Sequence, residues 1–326
     1  MTHKTLTAGI ALLALAALSL TKAEAVELRL GHNVGTQDAR HIASEIFKER
    51  LEELTNGEVT IRIFPAGMLG QWREMQEGLE LGTLDIVIEA IGTLERYSPL
   101  FGIELVPFLY NDRDHFIEVW TSELGEDMLD TMREETGFRL IGLMTRGPRH
   151  VTAKRPITQL EDLEGLRIRT PDSPTWINTF RALGASPTPM DWGEVFTALE
   201  TGVIDAQENP WQTIYHESIH EVAPYVTLSG HIQGAFQFQM WDARFQGLPE
   251  NVQEAIYEAA AAASDYYNEF VDQEDGRLME QAIAEGATVI DLDDDERARW
   301  REAVTDVRPD HPIVLEWIEQ IRAVAE

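Results

Sequence analysis

Residues 165–211 read GLRIRTPDSPTWINTFRALGASPTPMDWGEVFTALETGVIDAQENPW. Three short apolar segments, Leu166 to Arg169, Pro187 to Met190 and Val203 to Ala206, are separated by two helical patterns. Such alternation predicts parallel strands joined by crossover helices, an α/β architecture. Ser173 before Pro174 is an N-cap with proline at the first helical position; Trp176, Phe180 and Leu183 recur at helical spacing, and Gly184 sits where a terminating glycine belongs. Asp191 and Glu194 have capping-box spacing ahead of Val195, Phe196 and Leu199, and Gly202 closes that helix.

Ligands of open parallel sheets bind beyond the carboxyl ends of the strands, and Arg169 falls there, just before Pro171 ends its strand. A guanidinium next to buried surface needs an anion that accepts two parallel hydrogen bonds, and a carboxylate does so best. The structural alternative is an ion pair with one of the chain's many acids.

Upstream the same alternation recurs. Val26, Leu28 and Leu30 alternate as a strand that ends in Gly31-His32-Asn33; Asp38 starts a helix reaching Asn56-Gly57; Val59 to Phe64 is a strand; a helix from about Gln71 to Leu81 follows, and Asp85 to Glu89 is a strand ending in a carboxylate. Tyr97 to Tyr110 reads as loop, then two helical stretches lead to a strand at Phe138 to Met144. Arg146-Gly147-Pro148-Arg149 breaks the pattern and marks a domain crossing, with a return crossing in His231 to Trp241. The helical pattern from Leu248 to Glu285 spans about 55 Å at roughly 1.5 Å per residue, so it crosses both lobes or breaks at Gly276. The predicted division is residues 26–146 with about 235–274 in one lobe, and 147–234 with about 275–326 in the other.

Residues 1–25 have the form of a secretory signal peptide: His3 and Lys4, an uncharged run from Thr5 to Thr21, and the small-x-small site Ala23-Glu24-Ala25. Export to the periplasm is the expectation. With no cysteine in the chain, disulfides, thiolate nucleophiles and Cys-ligated zinc are excluded. The formal charge of −31 becomes −32 once Lys4, Lys22 and Glu24 leave with the leader, which makes nucleic acid and anionic membrane poor partners. Lysine occurs only at 4, 22, 48 and 154, a composition suited to a salty exterior, where screening removes most self-repulsion.

His216-Glu217-Ser218-Ile219-His220 matches the H-E-x-x-H zinc-hydrolase helix. Ala223 and Val226 stand where the continuation would need glycine and histidine, and Pro224 ends the helix, so a solvated helix face is the competing reading. Asp291, Asp293, Asp295 and Glu302 have EF-hand spacing, but Glu296 replaces the sixth-position glycine. No motif for a nucleotide or covalent catalysis is present, and no cofactor is expected.

The stretch 165–210 resembles the solute-binding proteins of tripartite ATP-independent periplasmic (TRAP) transporters, the dicarboxylate and sialic-acid binding group. The resemblance is carried by Gly165 to Pro171 (GLRIRTP), Ala182 to Met190 (ALGASPTPM), Glu194 to Leu199 (EVFTAL) and Val203 to Pro210 (VIDAQENP), and outside them by Gly31 to Gly35, Phe64 to Gly70 and the long penultimate helix. It implies a two-lobed periplasmic binding protein fold with crossing strands and a long helix spanning both lobes, closing on a ligand and working with membrane transporter subunits, without catalysis or metal. It also implies ligand-binding roles for Arg169, which pairs with the ligand carboxylate, and for Arg149, Asn209 and Trp192, with Asn33 and Glu89 at strand ends of the first lobe. If Glu89 lines the cleft, a sugar acid is favoured, since hydroxyls can donate to its carboxylate. If Glu89 points away or pairs with an arginine, a C4-dicarboxylate is favoured.

Overall fold

The computed structural model describes residues 26–324, so the leader expected at 1–25 lies outside the described residues. Strands β1 (Val26–Gly31), β2 (Val59–Phe64), β3 (Ile86–Ala90) and β4 (Phe138–Thr145) come first; β5 (His150–Ala153), β6 (Arg167–Thr170), β7 (Ser186–Pro189), β8 (Ala206–Asn209) and β9 (Tyr225–Thr227) follow; β10 (Ala235–Trp241) and β11 (Thr288–Ile290) close the set. They form two sheets, ordered β2-β1-β3-β10-β4 and β11-β9-β5-β8-β6-β7. In the first, β1 pairs in parallel with β2 and β3, and β10 is antiparallel to β3 and β4. In the second, β6 is parallel to β7 and β8, and β5 is antiparallel to β8 and β9.

The chain changes sheets between β4 and β5, at Arg146 to Arg149, and returns between β9 and β10. The two crossing segments bond to each other, Arg146 N to the Gly234 carbonyl at 2.8 Å and Arg149 N to that of Ile232 at 3.0 Å.

Helix Ala39–Leu54 begins where Asp38 accepts from Arg40 N at 2.8 Å, and helix Trp72–Glu80 begins with a Gln71/Glu74 capping box. The long helix, Glu250–Ala284, is 35 residues without interruption, roughly 50 Å at about 1.5 Å per residue. Gly276 does not break it, and a Cβ there would meet open space. Val252, Ile256, Ala259 and Ala263 pack in the core under the first sheet, whereas Ala282 packs with Trp211, Ile214 and Val226 beside the second. The helix therefore ties both lobes.

Some elements depart from the sequence reading. The segment Tyr97 to Tyr110 is not loop but contains the 3₁₀ turn Pro99–Leu105, buried throughout its last six residues, because Leu100, Phe101 and Ile103 fill the first lobe's second core cluster. Strand β8 lies three residues later than expected: Gly202 (φ +77°) turns the chain, Val203 is 55 % exposed, and the polar run Ala206–Asn209 is the buried strand. Ser173 precedes helix Pro174–Ala182 but does not cap it, its hydroxyl being taken elsewhere, and Asp191 starts a 3₁₀ turn without a side-chain cap. The C-terminal helix Pro312–Val324, allotted by sequence to the second lobe, packs on the first: Val314, Trp317, Ile318 and Ile321 share one cluster with Leu100 and Phe116.

Candidate functional site

The carboxyl ends of β1, β3, β6 and β8 converge on one cleft between the sheets. Asn33, Glu89, Arg149, Arg169, Trp192 and Asn209 all line it. The cavity between these residues is small, about 50 Å³.

Arg169, 4 % exposed, is the third residue of β6; its Nε donates to the Met190 carbonyl at 2.9 Å and its guanidinium carbon stands 5.5 Å from the centre of the Trp192 ring. Among the described residues no acid lies within 4 Å of it. Burial, foremost, and the charge of Arg149 lower it from its ordinary value to about 10, against the raising pull of Glu208. It remains a cation at neutral pH, and among the described residues neither terminal nitrogen has a hydrogen-bond partner, which leaves both to grip a carboxylate.

Arg149 reaches the cleft, but its fork faces inward. Nε bonds Glu208 Oε2, while Nη2 donates at 2.7 Å both to Oε1 and to the Glu208 carbonyl. Burial pushes the Glu208 carboxyl up, yet the Arg149 guanidinium outweighs it and holds the group at about 2. Only Nη1 of Arg149 makes no hydrogen bond within the described chain.

On the first-lobe side, Glu89 Oε1 accepts from Ala90 N at 2.9 Å and lies 3.9 Å from Arg40 Nη1. Arg40 is closer to Asp38, at 3.3 Å, so one guanidinium serves two carboxylates. Asn33 Oδ1 is buried without a partner, and Asn209 Oδ1 accepts from Arg146 at 3.1 Å while its amide donates to Gln207.

Sequence reasoning missed Arg40, Arg146, Trp72 and Trp176. Trp176 was read as part of an apolar helix face, yet its indole Nε1 is a buried, unpartnered donor and its ring edges the cleft. Arg146 stood next to the expected hinge and adjoined the recognised Arg149.

The two lobes also touch directly. Glu95 of the first lobe takes the Ser173 hydroxyl, the Thr175 hydroxyl at 2.5 Å and Thr175 N at 3.1 Å, replacing the missing cap of helix Pro174–Ala182. Arg73 and Asp172 pair nearby at 2.5 Å.

The H-E-x-x-H segment is neither a zinc helix nor a solvated face. Helix Trp211–His216 stops at Glu217, Ser218 is left-handed (φ +53°), and a separate turn, Ile219–Val222, carries His220. The break removes the i, i+4 register that would aim two imidazoles at one ion. His220 is buried, stacked on Tyr215 with centroids 5.1 Å apart, and its Nε2 is bound to Glu285 at 2.9 Å. Among the described residues no three metal-ligating side chains cluster.

Comparison with known proteins adds to this geometry. The family described as bacterial extracellular solute-binding protein, family 7, matches residues 30–311. The 2,3-diketo-L-gulonate-binding periplasmic protein YiaO of Escherichia coli is 32 % identical over 295 residues, 90 % of each chain. A TRAP periplasmic solute binding protein from Roseobacter denitrificans, solved with bound L-galactonate, superposes with TM-score 0.85 at 33 % identity, covering 91 % of this chain and 98 % of the other. One from Shewanella oneidensis with bound succinate gives 0.87 at 27 % identity, covering 93 % and 100 %.

Proposed function

Because the chain belongs to family 7 of the bacterial extracellular solute-binding proteins and is a TRAP-type binding protein, not an enzyme, we propose that its cleft captures a sugar acid through Arg169. The observation that carries this is the buried Arg169 fork, which among the described residues has no acid within 4 Å and shares the cleft with the Glu89 carboxylate. The carboxylate pairs with Arg169. Glu89 Oε2 accepts from a hydroxyl, which a plain dicarboxylate lacks. Charge agrees: the four cleft arginines 40, 146, 149 and 169 face three acids within 4 Å, Asp38, Glu89 and Glu208, leaving one positive charge for a monoanion.

Glu89 meets both conditions set out above, since it lines the cleft and also pairs with Arg40 at 3.9 Å; a C4-dicarboxylate is therefore the second reading, because Arg40 offsets the repulsion between Glu89 and a second ligand carboxylate. Bound L-galactonate in one relative and succinate in another make both classes reasonable probes. The protein acts in the periplasm, delivering its ligand to integral membrane subunits of a TRAP transporter. Its lobes, 26–146 with about 235–274 and 147–234 with the residues after 275 except the C-terminal helix, close by bending at the paired crossing near Arg146 to Arg149 and Gln233 to Gln237.

Thermal denaturation with L-galactonate, D-gluconate and D-glucuronate beside succinate and malate tests this. A ligand at 100 times its Kd stabilises by about 2.7 kcal/mol. Stabilisation by the sugar acids is the expected result; stabilisation by the dicarboxylates alone would replace the first reading with the second.

A further inference from the structure

Four arginines line the cleft, and their partners differ. Arg40 is held by Asp38, and Arg149 by Glu208. Arg169 waits for a carboxylate. Arg146 remains: it is 7 % exposed, Nη2 donates to the neutral Asn209 side chain at 3.1 Å, and buried Nε has no partner. Among the described residues no acid comes within 4 Å of it. Its guanidinium lies on one face of the Phe236 ring, 4.1 Å from the centre, and that of Arg40 stands 4.2 Å from the same centre. Stacking fixes the plane of the guanidinium and so the direction of its free N–H groups. A buried donor left unsatisfied is costly, and a cation without an anion more so.

We propose that Arg146 is a specificity-determining residue that donates from Nη1, which among the described residues has no partner and is not shut off as Nε is, to a hydroxyl of the ligand, while the carboxylate is held by Arg169. This rests on the reading of the cleft as a sugar-acid site. The two residues belong to different parts of the cleft, Arg146 at the end of the first sheet's β4 and Arg169 in β6 of the second, with Arg149 a charged neighbour of both. A hydroxyl suits Arg146 better than a second carboxylate does. It accepts from Nη1 and donates its own proton to an acceptor such as Glu89, whose charge also acts on Arg146. A carboxylate would bring negative charge toward Glu89 and offer no proton. Burial and the charges of Arg149 and Arg40 lower Arg146 to about 9, so it is still a charged donor at neutral pH.

The test is a coupling measurement between protein and ligand. Titration calorimetry on the wild type selects the tightest binder among L-galactonate, D-gluconate and D-glucuronate. Its monodeoxy analogues, each lacking one hydroxyl, are then titrated into wild type, Arg146→Gln and Arg146→Lys. Loss of one particular hydroxyl is expected to weaken wild type at least tenfold and Arg146→Gln less than threefold, with Arg146→Lys between. The other hydroxyls should cost both proteins alike. If every hydroxyl costs wild type and Arg146→Gln equally, Arg146 does not read the ligand and the inference falls while the sugar-acid reading stands. If wild type binds none of the three acids, that reading fails and the inference with it. Should Arg146→Gln not fold, the Arg146→Lys series decides by the same criterion.

Discussion

The Arg149 guanidinium and the Glu208 carboxylate form a two-pronged ion pair in the cleft wall, with side chains 3 % and 0 % exposed. The pair is part of the fold as much as of the site, because β5 and β8, which flank it, are antiparallel neighbours in the second sheet. Breaking such a pair strands a buried charge. Glu208→Gln is expected to destabilise the protein by about 3–5 kcal/mol, read by urea denaturation; a loss under 1 kcal/mol would show that water reaches Arg149.

The same pair sets an acid limit. Glu208 titrates below its unfolded value, so its contribution is complete above the ordinary glutamate range and is lost as pH falls toward about 2. Stability of the wild type should fall across that acidic window more steeply than that of Glu208→Gln. Parallel pH profiles would contradict it.

Glu95 and helix Pro174–Ala182 join the lobes, so they should favour the closed form. Removing the two hydroxyls in Ser173→Ala/Thr175→Val takes away bonds to a carboxylate, each typically worth about 1.5–3 kcal/mol. Ligand affinity is expected to drop by roughly that amount, with a larger radius of gyration in scattering at subsaturating ligand. Burial raises the Glu95 carboxyl despite those bonds. The closed form therefore holds its proton more tightly than a form with Glu95 in water, and closure eases as pH falls through the raised value. Glu95→Gln should lack that dependence.

Phe47 and Phe238 stack with centroids 4.3 Å apart beneath the first sheet. Phe238→Ala should cost about 3–5 kcal/mol by thermal or urea unfolding. A much smaller loss would mean that the core collapses into the space.

The alternation of strands and helices was legible because apolar runs, capping residues and glycines mark it locally. Thus β6, the helix after Pro174 and the crossing at Arg146 to Arg149 stand close to where the sequence places them. Strand β8 was displaced because Gln207, Glu208 and Asn209 are polar, and their burial is made possible only by partners distant in sequence, Thr152 and Arg149. The six expected cleft residues do meet in one place. What the sequence did not disclose is how the arginines divide their partners: Glu208 lies 59 residues from Arg149, and nothing local distinguishes a satisfied guanidinium from the unsatisfied Arg146. The C-terminal helix went to the other lobe for a related reason, since its apolar stripe does not say which core it fills.

Capture of a carboxylate by Arg169 is tested most directly by titration calorimetry of wild type, Arg169→Ala and Arg169→Lys with the tightest-binding sugar acid. Arg169→Ala should stay folded and lose at least about 2 kcal/mol of binding, because the ligand's desolvated charge loses its partner. Arg169→Lys should recover only part, since an ammonium lacks the planar fork. An Arg169→Ala protein that binds with wild-type affinity would contradict the assignment.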